Sequence, residues 1–282
     1  MIELPVTATD IARFVAAWTP PGPDCAPTAA SGIVTRLRKA VVWADEQARE
    51  LSAPVGMSGA IEEVAQRPTL IVERGGAIVA CGRVFDQVLD VRTPRSLVAQ
   101  GVAMGTLIRQ ATGLWDPIRR QRLLIAPNVL AAAGRYGLDQ KDWCKWVALR
   151  TGLRASLFVQ APFLVEQIRR LTVSHNDDDL LALVLLIDAL PLAQMQALTP
   201  TDLASIRWLR NHRAGSGGAS VFRAFATAGL PVARMDIVQA QAEAFASFVV
   251  DEQAVVDLLA QPAHLPSVAE LATPDEWLAR VR

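Results

Sequence analysis

The sequence predicts a mainly α protein with a small β component, an α+β chain, on three observations. Apolar residues recur at three- and four-residue spacing over long stretches, as in Ile33, Leu37, Val41, Ala44 and again in Trp146, Leu149, Leu153, Leu157. Only short β-prone runs interrupt them, Thr69–Val72 and Leu123–Ile125. Hydrophobic residues make up 51% of the 282 and charged residues 20%, enough for a sizeable core and against bulk disorder.

In chain order, Thr9-Asp10 can cap a first helix through Ala17, which Pro20-Pro21-Gly22-Pro23 stops. Ala29 to Ser52 reads as a long helix with one polar face. The strand Thr69–Val72 ends at Gly75-Gly76, and helices from about Ala77 to Val91 and from Pro94 to Leu114 should follow. Gly113-Leu114-Trp115-Asp116-Pro117 breaks the chain before the strand Leu123–Ile125. Asp139, Lys141 and Asp142 open the next helix, with acids where the helix dipole favours them. The polar break 174–179 can cap a helix from near Leu180, and Thr199-Pro200-Thr201-Asp202 starts another. Gly215-Ser216-Gly217-Gly218 links to a helix Ala219–Ala228, and Ile237–Leu259 closes the series as a long helix. One domain over 1–282 is expected, with a helical part at about 1–115, a central helix at about 139–172 and a second helical part at about 180–282.

The central helix carries the most information. At about 100° per residue, Arg150 and Arg154 stand one turn apart on the shoulder of the Trp146, Leu149, Leu153, Leu157 stripe. Charges beside such a stripe need partners, because an unpaired buried charge is expensive. Glu166 and Asp236 are the expected partners.

The landmarks Ala126-Pro127-Asn128, Trp146-Val147-Ala148-Leu149, Phe158 and Pro162-Phe163-Leu164 resemble those of the actinobacterial zincin-like metallopeptidases. In that family a strand ending in Ala-Pro-Asn leads to a helix with His-Glu-x-x-His, followed by a Phe and Pro-Trp-Leu. The resemblance spans most of the chain, most closely 122–164 and the tail 264–281, and implies a zincin-like scaffold. Its register places the signature on Arg150-Thr151-Gly152-Leu153-Arg154. Arginines therefore stand at both zinc-ligand positions, and Thr151 stands where the general-base glutamate would be. The resemblance puts the third ligand near Val238-Gln239-Ala240, where alanine replaces the acid.

Zinc chemistry of this kind needs two neutral imidazoles at i and i+4 and a carboxylate to deprotonate the bound water. Guanidinium is a permanent cation with donors only. The histidines are His175, His212 and His264, none four apart. No zinc and no catalytic residue are therefore expected. The arginine pair either bonds to acids and plugs the vestigial cleft, or holds a carboxylate or phosphate there. Gly215–Gly218 lacks the Lys-Ser/Thr of a phosphate loop and reads as a linker; Cys144 reads as a core thiol; Asp177-Asp178-Asp179 lacks the spacing of a cation loop. The tryptophans read as core anchors, and an exposed one would point to a partner surface.

Equal totals of 28 basic and 28 acidic residues leave no charge excess to recommend nucleic acid. The apolar run Leu180–Ile187 is too short for a bilayer, and the first residues do not read as a secretory signal. Three widely spaced cysteines suit a reducing cytoplasm. The expected function is that of an inactive, metallopeptidase-like pseudoenzyme that binds a protein partner, an active paralogue, a peptide or a small anion. The alternatives are a hydrolase with chemistry moved to Cys144 or Asp236, or a structural oligomer subunit; the sequence leaves oligomeric state open.

Overall fold

A computed structural model describes residues 6–88, 101, 103–211 and 235–282. It is mostly helical with one small sheet, the α-rich architecture expected. Helix α1 (Ala8–Trp18) is capped by Thr7, two residues before the expected Thr9-Asp10. Thr7 and Asp10 form a capping box, in which Asp10 N donates to the Thr7 hydroxyl at 3.1 Å and Thr7 N donates to the Asp10 carboxylate at 3.1 Å. Helix α2 (Pro27–Ser52) buries Ile33, Leu37 and Ala44 as the spacing predicts, with Ala40 and Ala48 beside them, while Val41 is only half-buried. Helix α3 (Ser58–Gln66) then leads into strand β1 (Thr69–Val72).

Helix α4 (Arg74–Val88) begins one residue before the glycine pair that was expected to end the strand and takes both glycines into its first turn. There Ala16 and Val72 would be in ordinary contact with a Cβ added on Gly75 and Gly76, at 3.7 Å each. Asp86 ties α4 to α1 by accepting from Ala8 N at 2.6 Å and Thr9 N at 3.0 Å. The helix expected over 94–114 is corrected in its last residues, while 94–100 lie outside the described residues. Residues 103–108 are helical, but Gly113–Asp116 forms strand β2. The Gly and Asp-Pro that read as a break flank a hairpin, where Asp116 Oδ1 accepts from the Ile118 and Arg119 amides at 3.0 Å each. Strand β3 (Gln121–Ile125) runs antiparallel to β2 and parallel to β1, giving the order β1-β3-β2.

Helix α5 (Ala126–Tyr136) follows β3 directly, with Pro127 in its first turn, and Gly137 ends it in the left-handed conformation at φ 60°. Asn128 is its structural hub: Nδ2 donates to the carbonyls of Ile108 at 2.5 Å and Ala111 at 2.6 Å, while Oδ1 accepts from Arg74 Nε at 2.6 Å. A Cβ on Gly22 would stand 2.6 Å from Pro127 Cβ, so the Pro-Pro-Gly segment packs on the Ala-Pro-Asn corner.

The central segment expected as one helix is two. Helix α6 (Gln140–Gln160) is capped by Asp139, which accepts from Asp142 N at 2.8 Å, and helix α7 (Phe163–Val173) follows. Pro162 makes the break, since it has no N–H to continue the ladder and restrains Ala161 before it. Helix α8 (Asp177–Gln194) opens on Asn176, which accepts from Asp179 N at 3.3 Å. Thr199 to Leu203 is a turn rather than a helix start: Thr199 donates through N and Oγ1 to Asp202 Oδ2 at 2.8 Å each, and helix α9 (Ile206–Asn211) comes later. The link Gly215–Gly218, the helix Ala219–Ala228 and His212 lie outside the described residues. Helices α10 (Met235–Asp251), α11 (Val255–Leu258) and α12 (Pro274–Val281) complete the chain, so the expected 237–259 helix is broken near Gln253, at φ 54°.

Two of three hydrophobic clusters include α6 residues. The first half of α6, Trp143 to Leu153, packs with α2 and α5; Leu157 and Ala161 pack with α7, α8, α10 and Trp277; α1, α4 and Ile125 form the third cluster. Leu149, Leu153 and Leu157 are all fully buried, each contributing about 1.5–3 kcal/mol of apolar burial. Helix α8 with its 3-10 extension, Asp177–Ala197, is long and apolar enough to cross a bilayer, which corrects the shorter reading of that run. Of its most apolar window, 78% is buried inside the protein, as expected of a core helix.

Candidate functional site

The surrounding helices enclose α6 so fully that even its polar residues Arg150, Thr151 and Ser156 are buried. Arg150 and Arg154 leave the helix on one side and converge on Asp188, in the middle of α8. Arg150 Nη2 donates to Asp188 Oδ2 at 2.6 Å, and Arg154 Nη2 donates to Asp188 Oδ1. Asp188 is 6% exposed and Arg150 8%; the Arg154 side chain, at 20%, is the part nearest solvent. Burial pushes both guanidiniums below their usual range, Arg150 to about 10 and Arg154 to about 9, with the charge of Arg150 adding to the second. Both therefore remain cations at neutral pH, with one carboxylate between them.

The expected partners Glu166 and Asp236 are corrected to Asp188. Glu166 instead accepts from Arg169 of its own helix, at 2.8 Å from Nε, and Asp236 lies in the first turn of α10. Sequence offered a signal for Asp188: a lone acid ends the apolar run Leu180–Ile187, and such a residue is buried only when paired.

Thr151, where the sequence resemblance would put a general base, donates its hydroxyl to Val147 O at 2.7 Å. Strand β2 presses on it there. A Cβ on Gly113 would stand 2.0 Å from Thr151 Oγ1, so only glycine allows that approach. Between β2 and α6 remains a cavity of about 20 Å³, lined by Thr112, Gly113, Trp146, Thr151 and the two arginines. That is room for about one water-sized particle. Trp146 Nε1 is buried without a hydrogen-bond partner among the described residues, whereas Trp143 Nε1 donates to Val129 O at 3.0 Å. A second buried pair braces the other side of the helix: Arg122 of β3 holds Asp45 of α2 through both carboxylate oxygens, close to Gly152.

These residues do not fit a zinc ion. Two guanidiniums offer donors only, and the one carboxylate already accepts from both. Among the described residues no three His, Cys, Asp or Glu side chains come together as a metal-binding group. His175 is exposed at φ 53°, and the ring of His264 is occupied by Asp257 O and Gln261 Nε2, each at 2.6 Å. Gln239, near the expected third-ligand position, donates to Glu243 Oε1 at 2.9 Å. Cys144 is fully buried and its thiol is pushed up to about 12 by burial, which leaves almost no thiolate to act as a nucleophile.

Larger clefts lie elsewhere. One of about 340 Å³ is bordered by Pro21, Cys25, Val34, Ile71 and Pro127; one of about 270 Å³ by Arg170, Asp179, Leu183, Pro266 and Arg280. Trp143 and Trp277 are core anchors, but Trp18 is 76% exposed beside Phe14, with ring centroids 6.2 Å apart.

No family model and no curated protein matches the chain. Among solved structures it is similar to the crystal structure of a "putative hydrolase with a novel fold" from Chloroflexus aurantiacus. The TM-score is 0.66 at 18% identity, covering 97% of this chain and 96% of that one. At that identity the likeness is one of fold.

Proposed function

We propose that this chain is a catalytically inactive, zincin-like metallopeptidase relative, a pseudoenzyme whose role is binding. One observation carries the reading: at the register of the metallopeptidase signature, Arg150 and Arg154 share Asp188 in the core. The ion-pair triad fills the space where a metal and its activated water would work, and nothing in it can ligate zinc or take a proton from water. A neighbour of the same fold described as a hydrolase supports an enzymatic ancestry, while the residues here support the loss of that chemistry. A protein partner, an active paralogue or a peptide would then be met on the surface, in a reducing cytoplasm that keeps Cys25, Cys81 and Cys144 as thiols.

A peptide-library cleavage assay with and without a chelator tests this. The reading expects no cleavage above a heat-denatured control. Chelator-sensitive cleavage that co-purifies with the chain would overturn it.

A further inference from the structure

Helices α7 and α8 and the C-terminal tail border the cleft of about 270 Å³. Leu171, Ala182, Leu183 and Leu186 give it an apolar lining. Four charged side chains share that lining, and two of them answer each other: Glu270 accepts from Arg280 Nε at 2.6 Å. Arg170 and Asp179 remain. Arg170 is exposed and forms no ion pair or side-chain hydrogen bond among the described residues. Glu166, the acid one turn before it, is taken by Arg169 Nε at 2.8 Å and Nη2 at 2.5 Å. Asp179 is half-buried, accepts from the neutral amide of Asn176 at 2.8 Å and forms no ion pair. One cation and one anion thus border the same cleft without pairing, and both have surface to offer a ligand.

Opposite charges held apart beside an apolar lining match a molecule that carries both charges and an apolar body. A plain anion would answer Arg170 but repel Asp179 and Glu270, and an uncharged molecule would answer neither charge. The volume takes roughly nine water-sized groups at about 30 Å³ each, the bulk of a branched amino acid. We propose that this cleft binds a small zwitterion with an apolar side chain, an amino acid of the leucine kind or a short peptide of such residues. Its carboxylate meets Arg170, its ammonium meets Asp179, and its side chain lies against the leucines. The inference names a ligand class for the binding role proposed above and rests on that reading only for there being such a role.

The test is calorimetric titration of the full chain with leucine and leucyl-leucine, against leucinamide, N-acetylleucine and glycine. Saturable binding of leucine or the dipeptide is expected; tighter leucine assigns a free amino acid, and a tighter dipeptide assigns peptide ends. Leucinamide lacks the carboxylate and N-acetylleucine the ammonium, so each should bind about tenfold or more weakly, the worth of one charge-assisted hydrogen bond. Glycine lacks the apolar body and should not bind. Arg170→Gln should erase the preference for leucine over leucinamide, and Asp179→Asn the preference over N-acetylleucine. Neither side chain is buried, so both variants should keep the fold, which circular dichroism checks. No saturable binding of leucine or the dipeptide, glycine binding as well as leucine, or wild-type preferences in both variants would overturn the site. A failed titration would leave the inactive-scaffold reading standing, whereas chelator-sensitive cleavage would sink that reading and leave the titration to be judged on its own.

Discussion

Replacing Asp188 by asparagine keeps the side chain's size and removes the only negative charge in the triad. Arg150 and Arg154 would then face each other in the core, where Asp188 is 6% exposed and accepts from both. At about 4 Å and an effective dielectric near 20, each lost attraction is worth about 4 kcal/mol. Relaxation recovers part of this, because the Arg154 side chain can turn toward solvent from its 20% exposure. Measured losses on breaking a buried pair run at about 3–5 kcal/mol, and two pairs sharing one acid place Asp188→Asn at the upper end. For a chain of this size that lowers Tm by roughly 10 °C. Guanidinium unfolding followed by circular dichroism would read it as a lower midpoint with an unchanged slope. The triple variant Arg150→Met, Arg154→Leu, Asp188→Leu removes all three charges and should match the wild type or exceed it by about 1–4 kcal/mol. An Asp188→Asn protein within about 1 kcal/mol of wild type would refute the argument, since the loss works out at several times that. So would a triple variant as unstable as the single one, which would trace the loss to packing and not to charge.

Three further expectations follow from the same structure. Gly113→Ala drives a Cβ to 2.0 Å from Thr151 Oγ1 and should cost about 1–3 kcal/mol; adding Thr151→Ala should recover most of it, and a double variant no better than the single one would contradict the contact. Alkylation of the native protein at about pH 8 should label exposed Cys25 and spare Cys144, whose thiol lies at about 12; mass spectrometry finding both labelled at one rate would disprove the burial argument. Burial raises the Glu270 carboxyl, yet bonds from Arg280 Nε at 2.6 Å and Ser267 N at 2.9 Å hold it below 4.5. A depressed folded value contributes stability present above 4.5 and lost as pH falls through the folded value. Glu270→Gln should therefore be about 1 kcal/mol less stable than wild type at neutral pH, and the gap should close in acid; a gap that persists at about pH 2 would count against it.

Much of the helical frame was legible because burial imposes its period on the residues. Ile33, Leu37 and Ala44 do face the core from α2, and Leu149, Leu153 and Leu157 from α6. The strands were legible where Leu, Ile and Val run together and hidden where they do not. Gly113 is a glycine within strand β2 because Thr151 leaves no room for a side chain there, a tertiary cause that no local pattern carries. The break at Pro162 was visible in principle and was overridden by the periodicity on either side. At the site, spacing alone put Arg150 and Arg154 on one face, but their partner lies 34 and 38 residues away on another helix. Choosing Asp188 over Glu166 or Asp236 needs the packing of α8 on α6, which separate helix patterns do not specify. The orphaned Trp146 Nε1 could not be read at all from residue types, since Trp143 three residues earlier finds its acceptor.

The central claim is that arginines closed a former metal site, and the most direct measurement is the zinc content of protein purified without added metal or a histidine tag. The account predicts traces well below one atom per chain, removed by a mild chelator with no change in unfolding midpoint. Zinc held tightly at about one atom per chain, with its removal lowering the midpoint, would contradict it.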